Sequence, residues 1–207
     1  MKDQKTQQPP TKKPSGVSRR SFLQGSGAAA AATALTGGAG IAEAQAPAAV
    51  ARRGAKSITL NVNGKNEKVT VESRTTLLEA LRYGLSLTGA KPVSDDGSTG
   101  ASTVLLDGQP ITAGTTLAVE CAGKKIQTVE SLGGKKPDAV PKAFVNQDAE
   151  QCGFCTPGFV VAVRAYLNKN PRATEAQIRE GLNGNLCRCG TYANVIQAAL
   201  EVVKGDS

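Results

Sequence analysis

The chain has 207 residues, with 25 Lys or Arg against 17 Asp or Glu, for a formal charge of +8. Residues 1–46 hold six of the basic and two of the acidic residues, leaving 19 against 15, a net +4. With aromatics at 3%, that remainder has neither the basic block nor the stacking side chains of a nucleic-acid groove. Histidine is absent, which excludes mixed cysteine/histidine zinc sites and histidine-ligated Rieske clusters.

A Lys-rich leader precedes Ser18-Arg19-Arg20-Ser21-Phe22-Leu23-Gln24, the pattern of a twin-arginine export motif. An Ala/Gly-rich run from Gly25 to Ala42 follows, and Ala44-Gln45-Ala46 offers a small-x-small cleavage site before Pro47. Residues 1–46 are therefore read as a signal peptide for export to the periplasm. Gly37, Gly38 and Gly40 interrupt the run and Glu43 ends it, so no stable membrane span is expected. Residues 47–56 are Ala/Arg-rich without a period and read as a linker.

Ser57 to Gly64 alternates polar with apolar and ends in Asn63-Gly64, a hairpin signal, and Lys68 to Val71 supplies the returning strand. Thr75 or Thr76 is placed to cap a helix reaching Tyr83, with Leu77, Leu78 and Leu81 buried and Glu79 exposed. Val104 to Leu106, Asp107-Gly108 and Gln109 to Ile111 read as strand, turn, strand. Further strands are predicted over Thr116–Glu120 and Ile126–Val129. This order predicts an α+β fold. Ser94 to Gly100 reads as a solvated turn, and Cys121 as a lone thiol near a strand end. Gly133-Gly134-Lys135-Lys136-Pro137 marks a boundary, dividing 57–132 from 133–207.

Beyond it, helices are predicted over Pro141–Glu150, from Pro157 to the stop at Asn168–Pro171, from a capping box at Thr174-Glu175-Ala176-Gln177, and over Tyr192–Val203. Four short helices fit a small bundle. Two of its inter-helix corners hold Cys152-Gly153-Phe154-Cys155 and Asn185-Leu186-Cys187-Arg188-Cys189. Two close thiol pairs can ligate a [2Fe–2S] cluster, a four-cysteine zinc, or form two disulfides. The tight Cys187-x-Cys189 spacing is unusual for zinc, yet spacing alone leaves all three open.

The wider runs narrow the choice. Cys152-Gly153-Phe154-Cys155-Thr156-Pro157-Gly158, with Gly184-Asn185-Leu186-Cys187-Arg188-Cys189-Gly190-Thr191-Tyr192, resembles the helical [2Fe–2S] domain of the xanthine dehydrogenase, or molybdenum hydroxylase, family. Leu60 to Gly64, Thr76-Leu77-Leu78, Gly100 to Gly108 and Thr116 to Val119 resemble the β-grasp, plant-type ferredoxin domain that precedes it there. The small iron–sulfur subunits of periplasmic aldehyde oxidoreductases share this layout, export signal included.

The resemblance implies one [2Fe–2S] cluster ligated by Cys152, Cys155, Cys187 and Cys189, and an electron-transfer role with no substrate chemistry on this chain. It implies a molybdopterin-binding large subunit as partner, with an FAD subunit or another redox acceptor beyond. Gln151 occupies a position that in the family lies near the molybdopterin of the large subunit. Gly153 and Gly190 are read as allowing close backbone approach to the cluster, and Arg188 as offsetting its charge, facing a partner subunit, or serving as an ordinary surface arginine. In the β-grasp half the family places a second set of cysteines, C-x4-C-x2-C and a fourth a dozen residues on. Here those positions are Ser94, Thr99, Ser102 and Gly114. Ser and Thr oxygens are hard donors that ionise poorly, so no cluster is expected there. The alternative reading is a degenerate scaffold that escorts a large subunit during export.

Overall fold

The computed structural model describes Ser18, Arg20 and residues 54–205. The rest of the export signal and its cleavage region lie outside the described residues. Among the described residues, 54–205 form one compact unit.

Strands β1 (Lys56–Val62) and β2 (Lys65–Val71) make the predicted hairpin, with Val62 opposite Lys65 and Lys56 opposite Val71. Asn63 (φ 53°) and Gly64 (φ 80°) are both left-handed, as a two-residue turn between twisted strands requires. Leu60, Val62, Val69 and Val71 alternate onto the buried face. Thr76 then starts α1, Leu77–Glu79, through a capping box. Its hydroxyl accepts from the Glu79 amide at 3.2 Å, and the Glu79 carboxylate accepts from the Thr76 amide at 2.8 Å. The helix widens into a π-helical turn, Ala80–Gly84, and buries Leu77, Leu78 and Leu81.

Strands β3 (Thr103–Leu106) and β4 (Gln109–Thr112) turn at Asp107-Gly108. Strand β5 (Lys125–Gln127) enters between β1 (parallel) and β3 (antiparallel), giving a mixed sheet in the order β2-β1-β5-β3-β4. Two predicted strands are corrected here. Thr116–Glu120 forms no ladder: Leu117 makes one isolated bridge to Thr76, and the chain tightens into a 3-10 turn, Ala118–Cys121. The segment crosses the entry to α1, whose extended approach is too short to pair further. The Ile126–Val129 strand ends at Gln127 because Thr128 turns to Asn63. The Thr128 amide donates to Asn63 Oδ1 and Asn63 Nδ2 donates to Thr128 Oγ1, both at 2.9 Å. A second 3-10 turn, Val129–Leu132, follows.

Four helices complete the unit: α2 (Ala139–Asn146), α3 (Thr156–Lys169), α4 (Glu175–Gly181) and α5 (Tyr192–Gly205). Helix α2 starts earlier than its apolar pattern indicated because Asp138 caps it, accepting from the Val140 amide at 2.9 Å. The same carboxylate accepts from Arg164 Nε at 2.9 Å, pinning α2 to α3. Pro157 lies in the first turn of α3, and Thr174 and Gln177 form the expected capping box on α4.

One apolar core, with Val140, Phe144, Phe159, Val163, Ile178 and Val195, holds the helices together. Another, with Leu60, Leu77, Leu81, Val104 and Ile126, lies between the sheet and α1. Leu105 of β3 meets Val161 and Ala165 of α3 in a seam between the two cores. The overall class is α+β, as predicted.

Candidate metal centre

The two cysteine clips come from separate corners. Cys152 and Cys155 lie between α2 and α3, with Cys155 at the residue before α3. Cys187 and Cys189 lie between α4 and α5. Cys187 is buried, Cys155 half-buried, and Cys152 and Cys189 exposed. All five cysteines are free thiols, so the structure has neither of the two disulfides.

Cys152, Cys155 and Cys187 line one cleft. The four thiols influence one another's ionisation, Cys155 chiefly through Cys187 and Cys189 chiefly through Cys152. Burial pushes the Cys155 thiol up to about 11, helped by its bond to Cys187. Burial also opposes ionisation of Cys187. Bonds from the Thr191 hydroxyl and amide, the Cys155 thiol and the Gly190 amide outweigh it and bring Cys187 down to about 7. The inner pair thus gives up one proton readily and holds the other. Cys189 is raised, chiefly by its bond to Cys152.

Among the described residues, no group of three or more Cys, Asp or Glu side chains is arranged to hold a single metal ion. Four cysteines with no histidine are a donor set that fits a two-iron cluster, which takes two thiolates on each iron. The hydroxyl oxygen of Thr156, the residue after Cys155, is buried without a hydrogen-bond partner.

The surroundings hold the clips in place. The Cys187 amide donates to the Tyr192 hydroxyl at 2.8 Å, and the Thr191 hydroxyl donates to Cys187 Sγ at 3.2 Å. The Tyr192 ring meets Phe159 edge-on, centroids 6.0 Å apart at 84°. Gly153 and Gly190 have φ of +79° and +89°, and a Cβ on either would meet nothing within 4 Å. Backbone conformation alone favours glycine at both positions. Phe154, Leu186 and Val93 stand half-exposed in an apolar rim, with Arg188 also lining this cleft. Gln151 is exposed, adjoining Cys152 in sequence.

The loop where the family carries its other cysteines closes on itself by oxygen chemistry. Ser94 Oγ and Thr99 Oγ1 are 2.9 Å apart, and Ser94 Oγ accepts from the Thr99 amide at 3.2 Å. Ser102 Oγ accepts from the Gly114 amide at 3.3 Å. Cys121 is fully buried, hydrogen-bonded to the Leu117 carbonyl at 3.6 Å, with burial raising its thiol.

Motif reading missed how the loops are joined. The Leu186 amide donates to the Thr99 carbonyl at 3.0 Å, and the buried Asn185 Nδ2 donates to the Gly100 carbonyl at 2.9 Å. A Cβ at Gly158 would lie 2.3 Å from that same carbonyl, so α3 needs a glycine to approach it. The signal was present in Gly100, Gly158 and Asn185, although their mutual contact cannot be read from linear spacing.

Residues 128–200 match the family described as the [2Fe-2S] binding domain, and residues 16–36 match the twin-arginine translocation pathway signal sequence. Over 208 residues the chain is 39% identical to the aldehyde oxidoreductase iron-sulfur-binding subunit PaoA of Escherichia coli K12, covering 92% of this chain and 89% of that protein. This chain belongs to the small iron–sulfur subunits of the molybdenum hydroxylases. It is also 40% identical over 144 residues to the nicotine 6-hydroxylase small subunit of Paenarthrobacter nicotinovorans, covering 70% of this chain and 87% of that one. Among solved structures it is similar to quinoline 2-oxidoreductase from Pseudomonas putida 86. The TM-score is 0.70 at 39% identity, covering 73% of this chain and 95% of that one. Members of the family are subunits of oxidoreductase complexes, so this chain is one part of such a complex and bears an export signal. No helix among the described residues is long and apolar enough to cross a membrane.

Proposed function

We propose that this chain is the electron-transfer subunit of an exported, aldehyde oxidoreductase-like molybdenum enzyme. It holds one [2Fe–2S] cluster on Cys152, Cys155, Cys187 and Cys189 and works in the periplasm beside a molybdopterin-binding large subunit. The gathering of clip cysteines from two inter-helix corners, with Cys152, Cys155 and Cys187 lining one cleft, carries this reading, supported by the match of residues 128–200 to the [2Fe-2S] binding domain. Its two domains are a β-grasp domain, 57–132, and a helical cluster domain, 133–207.

When bound, the cluster supplies one-electron storage. The chain's own residues do the rest. Cys155 and Cys187 hold the buried side of the group, and Cys152 and Cys189 the exposed side. Exposed Phe154 and Leu186 provide the apolar rim on which the large subunit seats, excluding water from the outer thiolates. With Ser94, Thr99, Ser102 and Gly114 offering no thiolate, the four clip cysteines would hold this chain's single electron-transfer station, with an FAD subunit or another acceptor beyond it. The Leu186–Thr99 hydrogen bond offers a short through-bond route toward the far loop.

The test is iron and acid-labile sulfide per mature chain, with an EPR spectrum after dithionite reduction. About two iron and two sulfide with one [2Fe–2S] signal are expected. Four iron with two distinct signals would refute the single-cluster reading. A second reading, a scaffold that escorts the large subunit, draws on the missing thiolates of the first loop. It requires a chain with no iron, or one whose cluster passes no electrons in the reconstituted complex.

A further inference from the structure

The Thr191 side chain is 2% exposed, and a hydroxyl shut away from water must find a partner. Its recorded acceptor is Cys187 Sγ, at 3.2 Å, and Cys187 is the most buried of the four clip thiols. Thr191 also begins α5, its carbonyl accepting from the Val195 amide at 3.0 Å. The helix start therefore fixes where the hydroxyl points. Tyr192, the next residue, accepts from the Cys187 amide, so consecutive side chains grip one ligand at its nitrogen and its sulfur.

We infer that Thr191 is a positioning residue that sets the reduction potential of the cluster through its hydrogen bond to the Cys187 sulfur. This rests on Cys187 being a cluster ligand, as proposed above. One-electron reduction adds negative charge that spreads onto the ligating sulfurs. A donor aimed at one of those sulfurs stabilises the reduced form more than the oxidised form, and so raises the potential. The bond is in a dry setting, where water cannot replace the donor if it is removed.

The experiment is an EPR-monitored redox titration of the mature chain purified with its large subunit, with iron counted on every sample. Thr191→Val keeps the shape and removes the donor, Thr191→Ala removes it without demands on packing, and Thr191→Ser keeps it. The expected result is a potential lowered in both Val and Ala variants, with iron unchanged and Ser close to wild type. At fixed ambient potential the reduced-to-oxidised ratio falls about tenfold, equivalent to about 59 mV for one electron. An unchanged potential in Val and Ala overturns the inference. So does a Ser variant that shifts as far as Val, because the cause is then packing. Loss of iron from both Val and Ala also overturns it, since the hydroxyl is then required for retention of the cluster. A wild-type chain without iron sinks the ligand assignment instead, and iron content separates that failure from the others.

Discussion

The Leu186 amide donates to the Thr99 carbonyl across 3.0 Å, joining the residue beside one clip thiol to a position where the family elsewhere places a cluster cysteine. The loop that has lost its thiols is thus still wired to the loop that kept them. Asn185 reinforces the joint from the adjacent position.

Asn185→Ala should loosen that joint. The Gly100 carbonyl keeps two bonds from Thr103, at 2.6 Å from the hydroxyl and 3.1 Å from the amide, so no buried acceptor is stranded. The expected cost is about 1 kcal/mol in urea unfolding of the holo-protein. Iron release to a chelator should speed up in parallel. Unaltered release kinetics would mean that the joint does not steady the clip.

Restoring thiols tests whether the first loop is still a ligand frame. Ser94→Cys, Thr99→Cys, Ser102→Cys and Gly114→Cys together place soft donors at two pairs already in contact. A Cβ at Gly114 sits 3.3 Å from Ser102 Oγ, a tight but tolerable approach. The quadruple variant is expected to gain about two iron per chain and a second EPR signal. Iron content equal to wild type would show that the frame has drifted.

The metal-free chain should have a stability maximum near pH 9. Cys187, lowered to about 7 from 9.0, contributes stability that is present above its unfolded value and lost as pH falls through 7. Cys155, raised to about 11 from 9.0, contributes stability that is present below 9 and lost as pH rises through 11. Thermal unfolding of the metal-free chain across this range should show both slopes, and Cys155→Ser should shallow the alkaline one, leaving the part that the raised Cys121 and Cys189 contribute. A flat profile would contradict the coupling of the pair.

Asp138→Ala removes a helix cap and a partner of Arg164 at one stroke. The cap alone is worth about 0.5–2 kcal/mol. Because the Arg164 side chain is only 17% exposed, leaving it unpaired adds to that cost. Asp138→Asn should recover the cap and only part of the stability, as read by the midpoint of urea unfolding.

Much of this architecture was legible in the chain itself, because local chemistry agreed with the tertiary outcome. Asn63-Gly64 dictated its turn, Thr76 with Glu79 and Thr174 with Gln177 announced their helices, and Pro157 marked the start of α3. The errors fell where long-range partners decide. Leu117 looked like a strand residue, yet only Thr76 was there to pair with it. Thr128 left the sheet for Asn63, 65 residues away, and no local pattern records that distance. At the candidate site the four cysteines were evident, whereas their pairing, and the roles of Thr191 and Gly158, needed three dimensions.

The contact between Gly158 and the Gly100 carbonyl implies an uneven tolerance to change along the first loop. Its side chains at 94, 99 and 102 hydrogen-bond within the loop and to the Gly114 amide, so their exchange leaves the contacts of the backbone at Gly100 in place. Its backbone at Gly100 answers to α3 and to Asn185. A lineage can therefore discard that station's chemistry while inheriting its peptide trace unchanged, because the trace serves as the bearing surface on which the surviving centre is mounted.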